Sequence, residues 1–153
     1  MNQSNFAQLG NRAILSIEGR DTESFLQGLI SNDIRKVNRE KAIFSAFLSP
    51  QGKYLFDFFV VSRNEQFLIE CEKNRLGELL KRLNTFKLRS DVTLQDRTND
   101  FFISAIWGKQ PEKLFDLQPK PGLVKSFEQG LLFIDPRTPK AGLRLISTVK
   151  DNK

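Results

Sequence analysis

Histidine does not occur among the 153 residues of this chain, and cysteine, tryptophan and tyrosine occur once each. The first absence removes the usual general base, the commonest metal ligand and every Ser–His or Cys–His nucleophile arrangement. A single cysteine excludes an intramolecular disulfide framework and any cysteine-rich zinc site within the chain. No apolar run could span a bilayer, since the longest lies within 54–61 and contains Asp57, and the N-terminal Met1-Asn2-Gln3-Ser4-Asn5 is polar with no apolar region behind it. The protein is therefore expected to be cytoplasmic and to have no membrane association. Internal repeats, low-complexity segments, a P-loop, a Gly-x-Gly-x-x-Gly turn and a metal-ligand cluster are also missing.

Phenylalanine, by contrast, occurs 14 times, and 39% hydrophobic with 27% charged residues is the balance of an ordinary folded domain. The length suits one core, so a single globular unit, or part of one, is expected. The net charge of +6 favours an anionic partner. Lys73 to Arg89 carries six cations against Glu78 alone, and Arg35, Lys36, Arg39 and Lys41 form a second group. This is either a solvated helix face or a module that docks on RNA or an acidic partner through Lys73, Arg75, Lys81, Arg82, Lys87 and Arg89. Nucleic acid is the weaker expectation, because no aromatic interleaving accompanies the charge.

The chain is organised around Phe44–Val61, two apolar runs joined by Ser49-Pro50-Gln51-Gly52, which reads as a β-hairpin. Leu55, Asp57, Phe59 and Val61 share one face of the second run, and Tyr54, Phe56, Phe58 and Val60 share the other. A strand apolar on both faces is expected to be covered on both, which leaves Asp57 mostly buried. A lone buried carboxylate costs several kcal/mol unless paired. Its partner is either internal, such as Arg12, Arg63 or a loop N–H, or a ligand with donors to offer.

Around the hairpin, residues 6–18 read as a strand. Asp21 caps a helix with Phe25, Leu26, Leu29 and Ile30 on one face, ended by Asn32-Asp33, and Gly28 within it implies close packing. Phe67–Glu72 reads as a strand with Cys71 facing the core, and 73–86 as an amphipathic helix with its Leu face inward. Asp91–Asp96 and Phe101–Trp107 look like a hairpin. A loop with a helical turn at Pro111–Phe115 follows, and then short strands at 123–127, 131–135 and 142–146. The fold class expected is α+β, with antiparallel sheets and flanking helices.

Three fragments carry a resemblance: Phe25-Leu26-Gln27-Gly28-Leu29-Ile30-Ser31-Asn32-Asp33, Phe47-Leu48-Ser49-Pro50-Gln51-Gly52-Lys53-Tyr54-Leu55-Phe56-Asp57-Phe58 and Asp135-Pro136-Arg137-Thr138-Pro139-Lys140-Ala141-Gly142-Leu143-Arg144. In this order and at these distances they resemble the YgfZ-type folate-binding family, related to the aminomethyltransferase (T-protein) of the glycine cleavage system. The resemblance implies an α+β fold around a tetrahydrofolate cavity. It implies that Asp57 contacts the folate, with Gln27, Asn32, Phe44 and Lys53 lining the same region. It implies an accessory role in iron–sulfur cluster assembly or maintenance, linked to tRNA modification, without turnover and with iron–sulfur client or assembly proteins as partners. A T-protein-like aminomethyltransferase is the enzymatic alternative, although relatives that transfer carry Asp-Asp where Phe56-Asp57 stands here. The family's Lys-Gly-Cys-x-x-Gly-Gln-Glu stretch does not occur before Lys153. Residues 1–153 are thus expected to be an incomplete folate-binding region that self-associates or is completed by a C-terminal half.

Overall fold

The computed structural model describes residues 3–149. In chain order these form β1 (Ser4–Gln8), β2 (Arg12–Glu18), α1 (Thr22–Gln27), β3 (Ile43–Leu48), β4 (Tyr54–Arg63), β5 (Gln66–Glu72), α2 (Leu76–Lys87), β6 (Thr93–Asp96), β7 (Phe101–Gly108), β8 (Val124–Phe127), β9 (Gly130–Ile134) and β10 (Leu143–Thr148), joined by short 3-10 turns. The strands make two antiparallel five-stranded sheets, β3-β4-β5-β2-β6 and β1-β7-β10-β9-β8. The fold is α+β, with the helices flanking one sheet.

Period-two alternation sorts the apolar side chains into layers. Ala13, Leu15, Phe56, Phe58, Val60, Ile69 and Cys71 face away from the second sheet and are covered by α1 and α2 through Phe25, Leu26, Leu79 and Leu83. Ile14, Phe59, Val61 and Leu68 face the second sheet and meet Phe101, Ile103, Leu131, Phe133 and Ile146. Ile106, Leu132, Ile134 and Leu143 lie on that sheet's far side under Phe115 and Leu117. Both faces of β4 are apolar because helices cover one and a second sheet the other. Its hairpin with β3 forms as expected: Gly52 N donates to Ser49 O at 2.8 Å, Ser49 N donates to Lys53 O at 2.8 Å, and Gly52 takes the left-handed φ of +82° that glycine adopts without strain.

Four expectations need correction. Residues 6–18 are two strands, parted by a turn at Gly10-Asn11, and they enter different sheets because β1 pairs with β7 while β2 pairs with β5 and β6. β6 and β7 are likewise no hairpin, since the turn at Thr98–Asp100 carries the chain from one sheet to the other. The first helix ends at Gln27, so Gly28 is its C-cap and not an interior residue, and a Cβ there would meet nothing nearer than 3.7 Å. Leu29 and Ile30 leave the helix because Ile30 bridges to Phe47 along the edge of β3. Asp21 stands at the N-cap position without capping. Its carboxylate instead accepts from Asp91 N at 2.8 Å and ties the helix start to the segment that leads into β6.

Candidate functional site

Asp57 sits opposite Ala46 in the β3–β4 ladder, on the face that looks toward the second sheet. Farther along β4 the same face carries Phe59 and Val61, which are fully buried; at Asp57 the second sheet no longer covers it, and Phe44, Ala46 and Asp57 are only half-buried, while Leu55, expected on this face, packs on the helix side because the ladder is irregular between Phe47 and Leu48. The carboxylate is neither fully buried nor solvent-exposed, which agrees with a mostly buried group at an open edge. Its neighbours are different from those expected. Arg12 goes to Glu70 and Arg63 lies 5.5 Å from the Phe101 ring centroid, whereas the charge of Asp57 helps raise Arg137 above the ordinary arginine value, after the larger effect of Arg137's hydrogen bond to Asp135. The phenol of Tyr54 is pushed up, first by desolvation and then by the charge of Asp57.

Arg137 and its surroundings are what sequence reasoning missed. Asp135, 2% exposed at the end of β9, accepts from Arg137 Nη2 at 2.7 Å, from Nε at 3.0 Å and from the backbone N at 2.8 Å. This fork holds the guanidinium 5.2 Å from the Phe44 ring centroid and 4.9 Å from that of Phe59, whose rings stand 5.2 Å apart. Arg144, one strand away on β10, also lies over Phe59, 4.9 Å from its ring centroid. Its Nη1 lies 3.2 Å from both oxygens of Glu70, and Arg12 Nε pairs with Glu70 from the strand beside it. Glu70 is 1% exposed. Burial pushes its carboxyl up, and Arg144 and then Arg12 pull it back. Burial lowers Arg144 as well, yet a guanidinium keeps its proton in proteins, so two fixed cations flank the buried carboxyl. The signal was present in the sequence as a Glu in the apolar run Phe67–Cys71 and as the Asp135-Pro136-Arg137 and Arg144 fragments. Nothing local says that they meet.

The other expected site residues occupy more distant or more committed positions. Gln27 donates from Nε2 to Asp33 Oδ1 at 3.0 Å and accepts at Oε1 from Ile34 N at 2.8 Å, which uses both ends of its amide to fold the loop after α1. Asn32 Nδ2 donates to Phe44 O at 3.0 Å, and its Oδ1 accepts from Asp33 N at 2.7 Å. Ser31 N bonds to Ala46 O at 2.8 Å, so this loop flanks β3 on the side away from β4 and is separated from Asp57 by that strand. Phe44 is brought to Asp57's face, while Lys53 lies in the exposed hairpin turn. Cys71 is buried among the helix-side residues with its thiol pushed up to about 12 by burial, the state of a small core hydrophobe. Among the described residues no group of carboxylates and thiol could hold a metal ion. The arrangement offers a half-open face with a carboxylate, a forked guanidinium and an aromatic pair, able to take a flat ligand that has both donors and acceptors.

Comparison with known proteins gives this face a context. The chain is 36% identical over 165 residues to an iron–sulfur cluster assembly factor IBA57 homolog, mitochondrial, of Aspergillus oryzae, covering 95% of this chain and 37% of that protein. The human iron–sulfur cluster assembly factor IBA57, mitochondrial, is 28% identical over 155 residues, covering 92% and 42% respectively. This chain therefore spans roughly two fifths of the length of those relatives. Their mitochondrial names overturn the cytoplasmic expectation, which rested on a polar N-terminus that argues only against secretory export. Among solved structures, the glycine cleavage system aminomethyltransferase T of Bartonella henselae superposes with a TM-score of 0.79 at 12% identity, over 97% of this chain and 43% of that one, a likeness of fold alone. Residues 7–117 match the family model described as the GCVT N-terminal domain, and the chain belongs to that family.

Proposed function

We propose that this chain is the N-terminal, folate-facing part of an iron–sulfur cluster assembly factor that works in mitochondria, resembling the YgfZ-type proteins and performing no turnover of its own. The observation that carries the reading is the similarity, along more than nine tenths of the chain, to proteins named iron–sulfur cluster assembly factors. The half-open face supports the folate part. A half-buried carboxylate suits the adjacent N–H donors of a pterin, the Phe44 edge suits its ring, and Arg137 suits an acceptor or carboxylate. Asp57, Phe44 and Arg137 would hold the cofactor, which when bound supplies a reduced, one-carbon-carrying ring. Gln27 and Asn32 act as positioning residues, because their amides are spent on shaping the loop that braces β3. Lys53 belongs to the rim. Phe56, which replaces the second acid of transferring relatives, is buried with the Arg75 guanidinium 4.3 Å from its ring centroid, and this favours binding over transfer.

One face cannot enclose a pterin, so the opposing wall comes from the C-terminal half that the longer relatives possess, or from a second copy of the chain. Calorimetric titration of tetrahydrofolate tests this. The 153-residue chain alone should bind weakly, a full-length homologous protein carrying the same Asp57 face tightly, and Asp57→Asn in the latter should weaken binding by about 1–3 kcal/mol, the loss of a charge-assisted pair. Unchanged affinity in Asp57→Asn, or tight one-to-one binding by a monomer of the short chain, rules the arrangement out. Rescue of iron–sulfur enzyme activity in cells lacking the factor, by the full-length protein and not by its Asp57→Asn variant, tests the assembly role separately.

A further inference from the structure

Five of the chain's six net positive charges lie between Lys73 and Arg89, a segment with six cations and the single carboxylate Glu78. Arg75 is committed: Nη1 donates to Leu55 O at 2.6 Å, Nη2 lies 3.4 Å from Glu78, and the guanidinium stacks on Phe56. Among the described residues, Lys73, Lys81, Arg82, Lys87 and Arg89 make no ion pair. Glu78, Lys81, Arg82, Thr85 and Phe86 succeed one another at i, i+3, i+4, i+7 and i+8, one outer stripe of α2, and line a shallow cleft of about 540 Å³. At the end of the stripe Leu88 stands with φ 46° and ψ −116°, a backbone conformation that residues with a side chain rarely adopt, and it is 86% exposed. Phe86, two residues earlier, is 42% exposed while its ring leans on Phe47 at 5.9 Å.

Neither feature helps the isolated chain. Clustered like charge repels itself, and a solvated leucine in a disfavoured conformation gains nothing from burial. Both become favourable against one kind of surface. We propose that the outer stripe of α2 docks an acidic segment of a partner protein, whose carboxylates meet Lys81, Arg82, Lys87 and Arg89 and whose apolar pocket receives Leu88 with Phe86 beside it. Charge complementarity identifies the occupant, and the protruding leucine surrounded by cations has the form of an interface anchor within a charged rim. A phosphate-rich surface fits less well, because Glu78 sits in the stripe and an apolar anchor finds no counterpart on a nucleic-acid backbone. α2 covers the face of the first sheet opposite to Asp57, so this surface is separate from the folate-facing one, and failure of either proposal leaves the other standing.

The test selects binders from a random-peptide phage library on the immobilised 153-residue chain and then titrates the synthesised consensus peptide by fluorescence anisotropy. Acidic sequences with an apolar residue among the carboxylates should be enriched, with affinity that falls steeply with salt. Lys81→Glu combined with Arg82→Glu should weaken the consensus peptide by tenfold or more. Leu88→Gly should weaken it severalfold while raising Tm, a combination that damage to the fold would not produce. Absence of acidic enrichment, or equal affinity in the charge-reversed variant, overturns the proposal. So does tighter binding to phosphatidylglycerol-containing phosphatidylcholine vesicles or to single-stranded RNA than to the peptide, because the occupant would then be a lipid surface or a nucleic acid.

Discussion

At the scale of the residue, this molecule is defined by charges held between its sheets. Glu70 is enclosed by Arg12 from the neighbouring strand and Arg144 from the opposite sheet. Removing the acid leaves two guanidiniums facing each other without a counter-charge, so Glu70→Gln should lower unfolding free energy by about 3–5 kcal/mol in urea titrations. Pairing it with Arg144→Met should restore part of that loss; strict additivity would show that the contact carries no coupling. Cys71 makes the other residue-scale prediction. Its thiol is raised from an ordinary value of 9.0 to about 12 in the folded chain, so the native state holds the proton that the unfolded state gives up. A raised native value adds stability that is fully present below pH 9 and is lost as pH rises toward 12. Over that window the wild type should lose up to about 1.4 kcal/mol per pH unit more than Cys71→Ala, which lacks the titrating group. At pH 8 a thiol reagent should label Cys71 only as fast as the chain unfolds.

At the scale of the element, α1 and α2 show how far local patterning reaches. The Leu stripe of α2 was legible in the sequence, because a helix packed on a sheet must place apolar residues three and four apart, and Leu76, Leu79 and Leu83 are indeed the buried ones. α1 is shorter than its apolar stripe, ending at Gln27. Phe25, Leu26, Leu29 and Ile30 fit a helical stripe equally well whether the last two continue the helix or turn along a strand edge, and the bridge to Phe47 decided for the edge. The end of α2 carries a cost that its sequence hides. Leu88→Gly should relieve the left-handed conformation and stabilise the chain by about 1–3 kcal/mol, measured as a shift in denaturation midpoint. A destabilised variant would mean that the leucine side chain is needed for packing, contrary to its exposure.

At the scale of the whole molecule, one Phe-rich layer makes two sheets into a unit. Phe59 of the first sheet and Phe133 of the second stand 5.6 Å apart within a shared cluster, and neither sheet can expose its inner face without the other. Unfolding should therefore be a single transition. Trp107 on β7 reports one sheet and the thiol of Cys71 on β5 the other, so their denaturation midpoints should coincide; separated midpoints would mean independently stable halves. Phe133→Ala should cost about 3–5 kcal/mol and shift both probes together.

By itself the sequence determined the kinds of element and the chemistry left out. Period-two and period-3.6 patterns record burial one residue at a time, and the absence of histidine and of paired cysteines is a fact about the chain in any conformation. The strand apolar on both faces could be read as covered on both, and Asp57 could be singled out within it, because its immediate neighbours set that contrast. Which sheet each strand joins was decided only by the tertiary structure: β1 and β2 are parted by three residues and diverge, and β6 and β7 read as partners yet bond to others. The same holds for the cluster of Arg12, Glu70, Asp135, Arg137 and Arg144, spread over more than 130 residues of sequence. Those side chains meet through strand register and sheet stacking, which depend on pairings between distant segments and leave no periodic trace in any one of them.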